Sequence, residues 1–248
     1  MDKGKYILLL NPDAILKQDS VEVFFKFLEA NDDVGLVSGK ILNIDGSLQL
    51  SCSRNFPSII YVVGRLIVRC LGISWFLNKF LPNIKYPFKW WMTPREHQRE
   101  NEVENITGAC LFIRKKVLDQ VGYFDENFFM YFEETELCYR IRKKGWKIYY
   151  LPNAEILHDH HSSAKLDVHF YYGETSYHYY RGRLIFFKKH RNQLELLLYK
   201  ILLVVTIILK FLIYGLQFIL NKNKKINLIR LKSFWKTFRL ILNPDYWV

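Results

Sequence analysis

Apolar positions set out the first half of the chain as short buried strands alternating with amphipathic helices. Tyr6–Leu10 is a continuous apolar run of the kind found in a strand covered on both faces. It stops at Asn11-Pro12-Asp13, a turn signal that also puts a carboxylate at a strand end. Open α/β sheets place their ligand sites at the carboxyl ends of strands, although Asn, Pro and Asp are equally the residues of a plain turn. Asp19 or Ser20 is positioned to cap a helix through about Ala30, with Val21, Phe24, Phe25 and Leu28 as its apolar stripe. Val34–Leu42 reads as the next strand. Asn43–Ser47 reads as a turn, and Leu48–Ser51 as a returning hairpin arm. Ile106–Ile113 reads as one strand, carrying Gly108 and Ala109 as small residues that let another group approach its backbone. A short helix over Arg114–Val121 ends at Gly122, and a second helix runs from Glu133 to Lys144 with Gly145 after it. Trp146–Leu151 and Ala154–Leu157 read as two strands divided by Pro152-Asn153, followed by His158-Asp159-His160-His161. A histidine at a strand end beside a carboxylate is a metal-ligand pattern, and the same four residues also suit an ordinary polar loop.

Between these halves, residues 57–92 are aromatic and broken by proline: Trp75, Phe76, Phe80, Pro82, Pro87, Trp90 and Trp91. The pattern predicts a loop or lid more than regular structure, either packed on the surface or offering rings on which a ligand can stack.

The stretch from Phe128 to Glu136 concentrates chemistry. Five bulky apolar residues run straight into Glu133, Glu134 and Glu136, and carboxylates beside such bulk are costly to bury unpaired. The glutamates fall in the first turn of a helix, where the macrodipole favours negative charge. That is a common helix start. It is also how a general base is held at the mouth of a pocket, where apolar walls raise a carboxylate's pKa toward the working range.

The pattern changes after about residue 165. His169–Lys189 is tyrosine-rich and helix-compatible, ending in the basic run Lys188-Lys189-His190-Arg191. Leu194–Leu220 is apolar over a length that spans a bilayer, with only Glu195, Lys200 and Lys210 charged. At helical spacing Glu195, Thr206, Lys210 and Gln217 share one narrow sector, which predicts a helix lying in the membrane interface or packed on another helix. Residues 222–239 add seven Lys or Arg and no acid, interleaved with Ile229, Phe234, Trp235 and Phe238.

Charge sharpens this division. The chain of 248 residues has a formal net charge of +12, and residues 1–180 balance at 22 basic and 22 acidic side chains. All of the excess lies in the tail. This excludes an acidic polymer as partner for the whole chain, and beside a long apolar helix the basic tail reads as membrane surface and not nucleic acid. Cys52, Cys70, Cys110 and Cys138 form no C-x-x-C pair and read as free thiols of a reducing compartment. No secretory signal pattern is visible, the early apolar run being too short for one.

Taken together, YILLLNPDAIL, VGLVSGKILNIDGSLQLSC and ITGACLFIRKKVLDQVGYFDENFFMYFEETELCYRIRKKGWKIYYLPNAEILH resemble the family 2 inverting glycosyltransferases, most closely the bacterial rhamnosyltransferase-like members. The resemblance covers about residues 5–163. It implies an α/β fold, a partial GT-A mixed sheet with helices over residues 1–165, followed by a helical, membrane-associated tail over 166–248. It implies a nucleotide-diphospho-sugar donor (a dTDP- or UDP-sugar), a glycan or lipid-linked acceptor of the cell envelope, and a divalent metal, Mg²⁺ or Mn²⁺. Carried over by position, Asp13 is the metal-binding aspartate and Asn11 stands where the family has its first aspartate, facing the donor. Glu134 is the base, one methylene longer than the family's usual aspartate, and Glu133 stands beside it. His158 completes the metal site, and Gly108 and Ala109 line the acceptor side. The expected location is the cytoplasmic face of the cell membrane. The family's opening βαβαβ half has no counterpart before Tyr6. The expectation is therefore a partial enzyme that is inactive alone, completed by a separately encoded N-terminal half, or a catalytically inactive membrane-bound scaffold.

Overall fold

A computed structural model describes residues 4–50, 53–70, 79–80, 92–159, 173–220 and 223–242. The chain divides into two compact units. One comprises residues 1–56, 64–125 and 134–160, and the other 57–63, 126–133 and 161–248. Trp75, Phe76, Pro82, Pro87, Trp90, Trp91, Cys52, His160, His161 and the change of pattern near residue 165 lie outside the described residues.

The first unit is a mixed sheet with helices. Its strands are β1 (Tyr6–Leu10), β2 (Ala14–Leu16), β3 (Val34–Leu42), β4 (Ser53–Arg54), β5 (Asn101–Glu102), β6 (Asn105–Ile106), β7 (Cys110–Arg114) and β8 (Lys147–His158). Its helices are α1 (Ser20–Ala30), α3 (Lys115–Val121) and α4 (Glu133–Lys143), while α2 (Ile59–Cys70) straddles the division. The main sheet runs β1-β7-β3-β8-β2, with β5 also on β8, and β4 and β6 form a separate ribbon. β7 is antiparallel to both β1 and β3, and β8 is parallel to β3. The carboxyl ends of β1, β3 and β8 therefore meet the amino end of β7 at one end of the sheet.

Burial follows position. β3 and β7 are interior strands and are buried almost throughout, as their unbroken apolar runs require. β1 is an edge strand among the described residues, with Leu8 and Leu10 37% and 40% exposed. Arg114 closes the other end of β7. Its buried guanidinium donates to the carbonyls of Val34 (2.8 Å), Asn31 (3.1 Å) and Leu28, the last two at the end of α1, where carbonyls lack helical partners.

Several expectations are corrected. Within the stretch 57–92, read as more loop or lid than regular structure, residues 59–70 are helical, starting just after Pro57, which can open a helix. Asp19 precedes α1 with φ 67° and makes no capping hydrogen bond, while the Ser20 hydroxyl bridges to the backbone of Glu155. Ile106–Ile113 is not one strand: β6 ends at Ile106, a turn follows, and β7 begins at Cys110. Residues 147–158 are one strand and not two. Pro152-Asn153 sits in a bulge where the register with β3 jumps from Gly39↔Leu151 to Lys40↔Glu155. A bulge is where a strand tolerates a residue without an N–H. Lys17 and Lys40 then bind the Glu155 carboxylate at 2.7 and 2.9 Å, and these hydrogen bonds hold its pKa below the usual carboxylate range.

The second unit contains α5 (Thr175–His190), α6 (Gln193–Ile219) and α7 (Lys224–Leu242). α6 starts at an N-cap, where the Asn192 side chain accepts from the Glu195 N–H at 2.8 Å. Leu196, Tyr199, Leu203 and Ile207 are its buried face. Tyr199 stacks on Phe187 of α5 at 4.6 Å and Tyr214 on Phe234 of α7 at 5.8 Å. Lys210 lies on that same face and donates to the Tyr180 hydroxyl at 2.7 Å. Within the polar sector, Lys210 therefore packs on α5 and α7 of the same chain. The outward face is left apolar, with Leu212 63% and Ile219 78% exposed.

Candidate active site

Three strand ends and one turn assemble the residues singled out by sequence. Asn11 follows β1 directly. Its N–H donates to the Ala109 carbonyl at 3.0 Å and its own carbonyl receives the Ala14 N–H at 3.0 Å, closing a turn around Pro12-Asp13. β2 then pairs Ala14 opposite His158, the last residue of β8. A further bond, from the Asp159 N–H to the Asp13 carbonyl at 3.1 Å, ties the two segments. The side chains converge accordingly: His158 Nε2 lies 3.3 Å from Asp13 Oδ1. Two positions far apart in the chain thus share one point in space.

Gln49 decides how His158 presents its ring. The Gln49 amide donates to Asn43 Oδ1 and to the His158 carbonyl, both at 2.8 Å. Its remaining atom, Oε1, accepts and lies 3.3 Å from His158 Nδ1. Nδ1 thus presents a ring hydrogen to Gln49, and Nε2 faces a carboxylate oxygen, to which it donates when the ring is protonated and beside which its lone pair is free for a cation when it is not. The donor set also suits a hard divalent ion, which is held by one or two protein groups together with substrate phosphates and water. Among the described residues no group of three or more His, Cys, Asp or Glu surrounds such a point. Sequence reasoning missed Gln49. The residue lies in the predicted hairpin arm, but only the fold brings it under His158.

The three acids of α4 are separated by their surroundings. Glu136 is buried and chelated by Arg140, whose Nε lies 2.9 and 2.8 Å from its two oxygens. Arg140 also donates to the carbonyls of Val121, Gly122 (3.1 Å) and Tyr123 (2.6 Å), so this pair holds the preceding loop. Glu133 opens the helix and is half-buried. Glu134 is 6% exposed and packs against Gly108, where an added Cβ would stand 3.4 Å from the Glu134 Cβ. Its Oε1 accepts from Thr135 Oγ1 at 3.2 Å, and Thr135 Oγ1 accepts from buried Asn105 at 3.0 Å. Asn105 and Thr135 are a second support that the sequence did not reveal, being 30 residues apart on a strand and a helix.

Gly108 thus borders Glu134 while its neighbour Ala109 receives Asn11, so the turn before β7 links the acid to the β1 end. The Ala109 side chain belongs to the apolar core. Cys110 and Cys138 are buried free thiols, and burial pushes the Cys110 thiol up to about 12, outside any nucleophilic range.

This arrangement has relatives. Residues 2–170 match the family described as glycosyltransferase-like family 2. The chain belongs to that family. The glycosyltransferase-like chain is 31% identical over 157 residues to an N-acetylglucosaminyl-diphospho-decaprenol L-rhamnosyltransferase of Mycobacterium tuberculosis, covering 62% of this chain and 46% of that protein. A rhamnosyltransferase of Escherichia coli is 26% identical over 157 residues, 63% of this chain and 53% of its own. A low-salt glycan biosynthesis hexosyltransferase of Haloferax volcanii is 25% identical over 153 residues, 62% and 42% respectively. The glycosyltransferase-like chain therefore spans about half the length of these relatives. It is rhamnosyltransferase-like, and the residues matching the family include both the paired Asp13 and His158 and the acidic start of α4.

Proposed function

We propose that this chain carries the catalytic half of an inverting glycosyltransferase. The reaction moves a sugar from a nucleotide-diphospho-sugar to a lipid-linked or polysaccharide acceptor of the cell envelope. The observation that carries the reading is the convergence of Asp13 and His158, with Glu134 buried at the turn that adjoins the same strand end. Asp13 and His158 are assigned to hold Mg²⁺ or Mn²⁺, and the ion when bound neutralises charge on the departing diphosphate. Glu134 takes the proton of the acceptor hydroxyl as that oxygen attacks the anomeric carbon. One displacement without a covalent intermediate inverts the anomeric configuration. Asn11, exposed at the end of β1, is placed on the donor side, and Gly108 beside Glu134 on the acceptor side. The hydrogen bond from Thr135 fixes the orientation of the Glu134 carboxylate that receives the proton.

Donor recognition needs more surface than these residues offer. The edge of β1, unpaired on one side among the described residues and with Leu8 and Leu10 exposed, suits pairing with an added strand. The partner proposed for it is a complementary N-terminal half carrying the nucleotide pocket. The test is release of dTDP or UDP from a panel of nucleotide sugars with Mn²⁺, with and without such a half from a related enzyme, the product anomer being read by NMR. Turnover of roughly 1 per second by the chain alone, an ordinary enzyme rate, would remove the need for a partner. No turnover in either arrangement would sink the enzymatic reading.

The metal assignment has its own measurement. Mn²⁺ binding, followed by electron paramagnetic resonance in the presence of a nucleoside diphosphate, is expected to weaken at least about tenfold in Asp13→Asn. Gln49→Ala should weaken it by a similar factor through loss of the fixed imidazole orientation. Unchanged affinity in Asp13→Asn would show that the ion sits elsewhere.

The location proposed is the cytoplasmic face of the membrane. α6 is the one helix among the described residues that is long and apolar enough to cross a bilayer, with a mean hydropathy of 2.6. Its polar residue Lys210 is turned inward onto Tyr180, so its outward surface suits lipid. Exposed Lys224, Lys225, Lys232, Lys236 and Arg239 on α7, with exposed Trp235 among them, suit an anionic headgroup layer. Deleting residues 193–242 should move the chain from the membrane pellet to the soluble fraction. Release of the full chain by alkaline carbonate would indicate an interfacial helix, and resistance a span.

A further inference from the structure

The second unit contains a cavity of about 250 Å³ lined by Tyr131, Thr175, Ser176, Tyr179 and Tyr180. Three tyrosine rings and two aliphatic hydroxyls line it, with no acid or base among the five side chains. Drug-sized ligands occupy roughly 300–1,000 Å³, so this space suits one small ring. The negative face of an aromatic ring attracts the positive C–H edges of a partner. A pyranose offers such C–H groups on its faces and hydroxyls around its rim, and serine, threonine and tyrosine hydroxyls both donate and accept. None of these five side chains is a cation that would hold an anion. The Tyr180 hydroxyl accepts from Lys210 at 2.7 Å, which leaves its own hydrogen for another oxygen.

The loop that supplies Tyr131 is held in an unusual shape. Tyr131 and Phe132 have φ of 63° and 76°, the left-handed region that side chains avoid. Neighbouring groups enforce it. The Tyr131 carbonyl lies where a Cβ on Gly182 would come within 2.7 Å, so glycine at 182 admits it. The Phe132 ring packs on Tyr179 at 5.4 Å, and Arg181 donates to the Asn127 carbonyl at 2.7 Å. Strained backbone of this kind gathers at ligand sites.

We propose that this cavity is a sugar subsite, holding one neutral pyranose ring of the acceptor. The assignment rests on the glycosyl-transfer reading and adds to it a place for the acceptor in the helical unit. Tyr131 and Tyr179 supply the stacking surfaces, and Thr175, Ser176 and Tyr180 the hydroxyls.

The experiment uses the full chain in a zwitterionic detergent without sugar headgroups. Methyl glycosides of rhamnose, glucose and N-acetylglucosamine are titrated by saturation-transfer NMR, with inorganic phosphate as competitor. At least one glycoside is expected to bind saturably, and Ser176→Phe, which fills the cavity, should weaken it at least about tenfold. Tyr180→Phe keeps the ring and removes one hydroxyl, and should weaken binding roughly three- to tenfold. Circular dichroism checks that both variants fold, and Tyr180→Phe alone decides the matter if Ser176→Phe does not. No binding of any glycoside, equal binding in the wild type and the folded variants, or displacement by phosphate would overturn the proposal. Failure of nucleotide-sugar turnover with glycoside binding intact would strike the donor reading and leave the subsite standing.

Discussion

Glu134→Gln is expected to lower the rate of sugar transfer by at least about a hundredfold while leaving donor binding in place, the scale typical of losing a general base. The amide keeps the volume and the contact with Gly108 but cannot take a proton. The neighbouring acids cannot substitute in the same way. Glu136 is chelated by Arg140 and committed to holding the loop at Val121–Tyr123. Glu133 opens the helix one residue earlier, and side chains one residue apart point about 100° away from each other around the axis. Transfer is measured with the complementary half present, and donor binding by competition with a fluorescent nucleotide. Turnover within a few fold of wild type would move the role to Glu133. A parallel fall in donor affinity would mean the residue supports the donor side. Thr135→Val separates position from chemistry: it keeps the carboxylate and removes one hydrogen bond, so its effect should be no more than about tenfold.

How much of the fold and site is legible in the sequence depends on the range of the contacts involved. The strands at Tyr6–Leu10 and Val34–Leu42 and the helix from Glu133 follow from local pattern, although Tyr6–Leu10 is a partly exposed edge strand among the described residues and not one covered on both faces. The resemblance places Asp13, Glu134 and His158 in one motif set, but what orients them is long-range. Gln49 reaches His158 across 109 positions and Asn105 reaches Thr135 across 30, and no local rule selects a Gln in a hairpin arm or an Asn before a turn. The errors have the same origin. Local propensity reads Pro152 as a strand break because it cannot foresee a bulge stabilised by Ser20 and two lysines from other segments. The turn at residues 107–109 is hidden because Ala109 and Cys110 are as apolar as strand residues. In α6 the polar sector is visible in the sequence. Which way it faces is not, because that depends on Tyr180 and Phe234 from two other helices.

Gly39→Ala should cost more stability than a methyl added at any other described glycine, and should damage the site without touching it. A Cβ on Gly39 would stand 2.1 Å from the Ala154 carbonyl oxygen and 2.8 Å from both the Ala154 carbon and Ile156 Cδ1. The Ile156 methyl can rotate away, but the carbonyl is backbone and is fixed by the bulge. β3 and β8 must therefore separate at the point where their register jumps, and overpacking of this kind costs about 3 kcal/mol or more. For a chain of this size that corresponds to a fall in Tm of at least about 6 °C. The consequence runs downstream along β8. Glu155, Ile156 and Leu157 pair with Lys40, Ile41 and Leu42, and His158 follows them. Displacing that segment moves His158 away from Asp13 and Gln49, so Mn²⁺ binding should weaken in whatever fraction stays folded. Gly108→Ala is the comparison, since its Cβ would meet Glu134 at 3.4 Å, ordinary contact distance, and should leave Tm within about 2 °C of wild type. Thermal unfolding of the two variants in parallel decides it. A Gly39→Ala protein that melts with the wild type and binds Mn²⁺ equally well would mean the bulge yields at no cost, and that His158 is positioned by β2 and Gln49 alone.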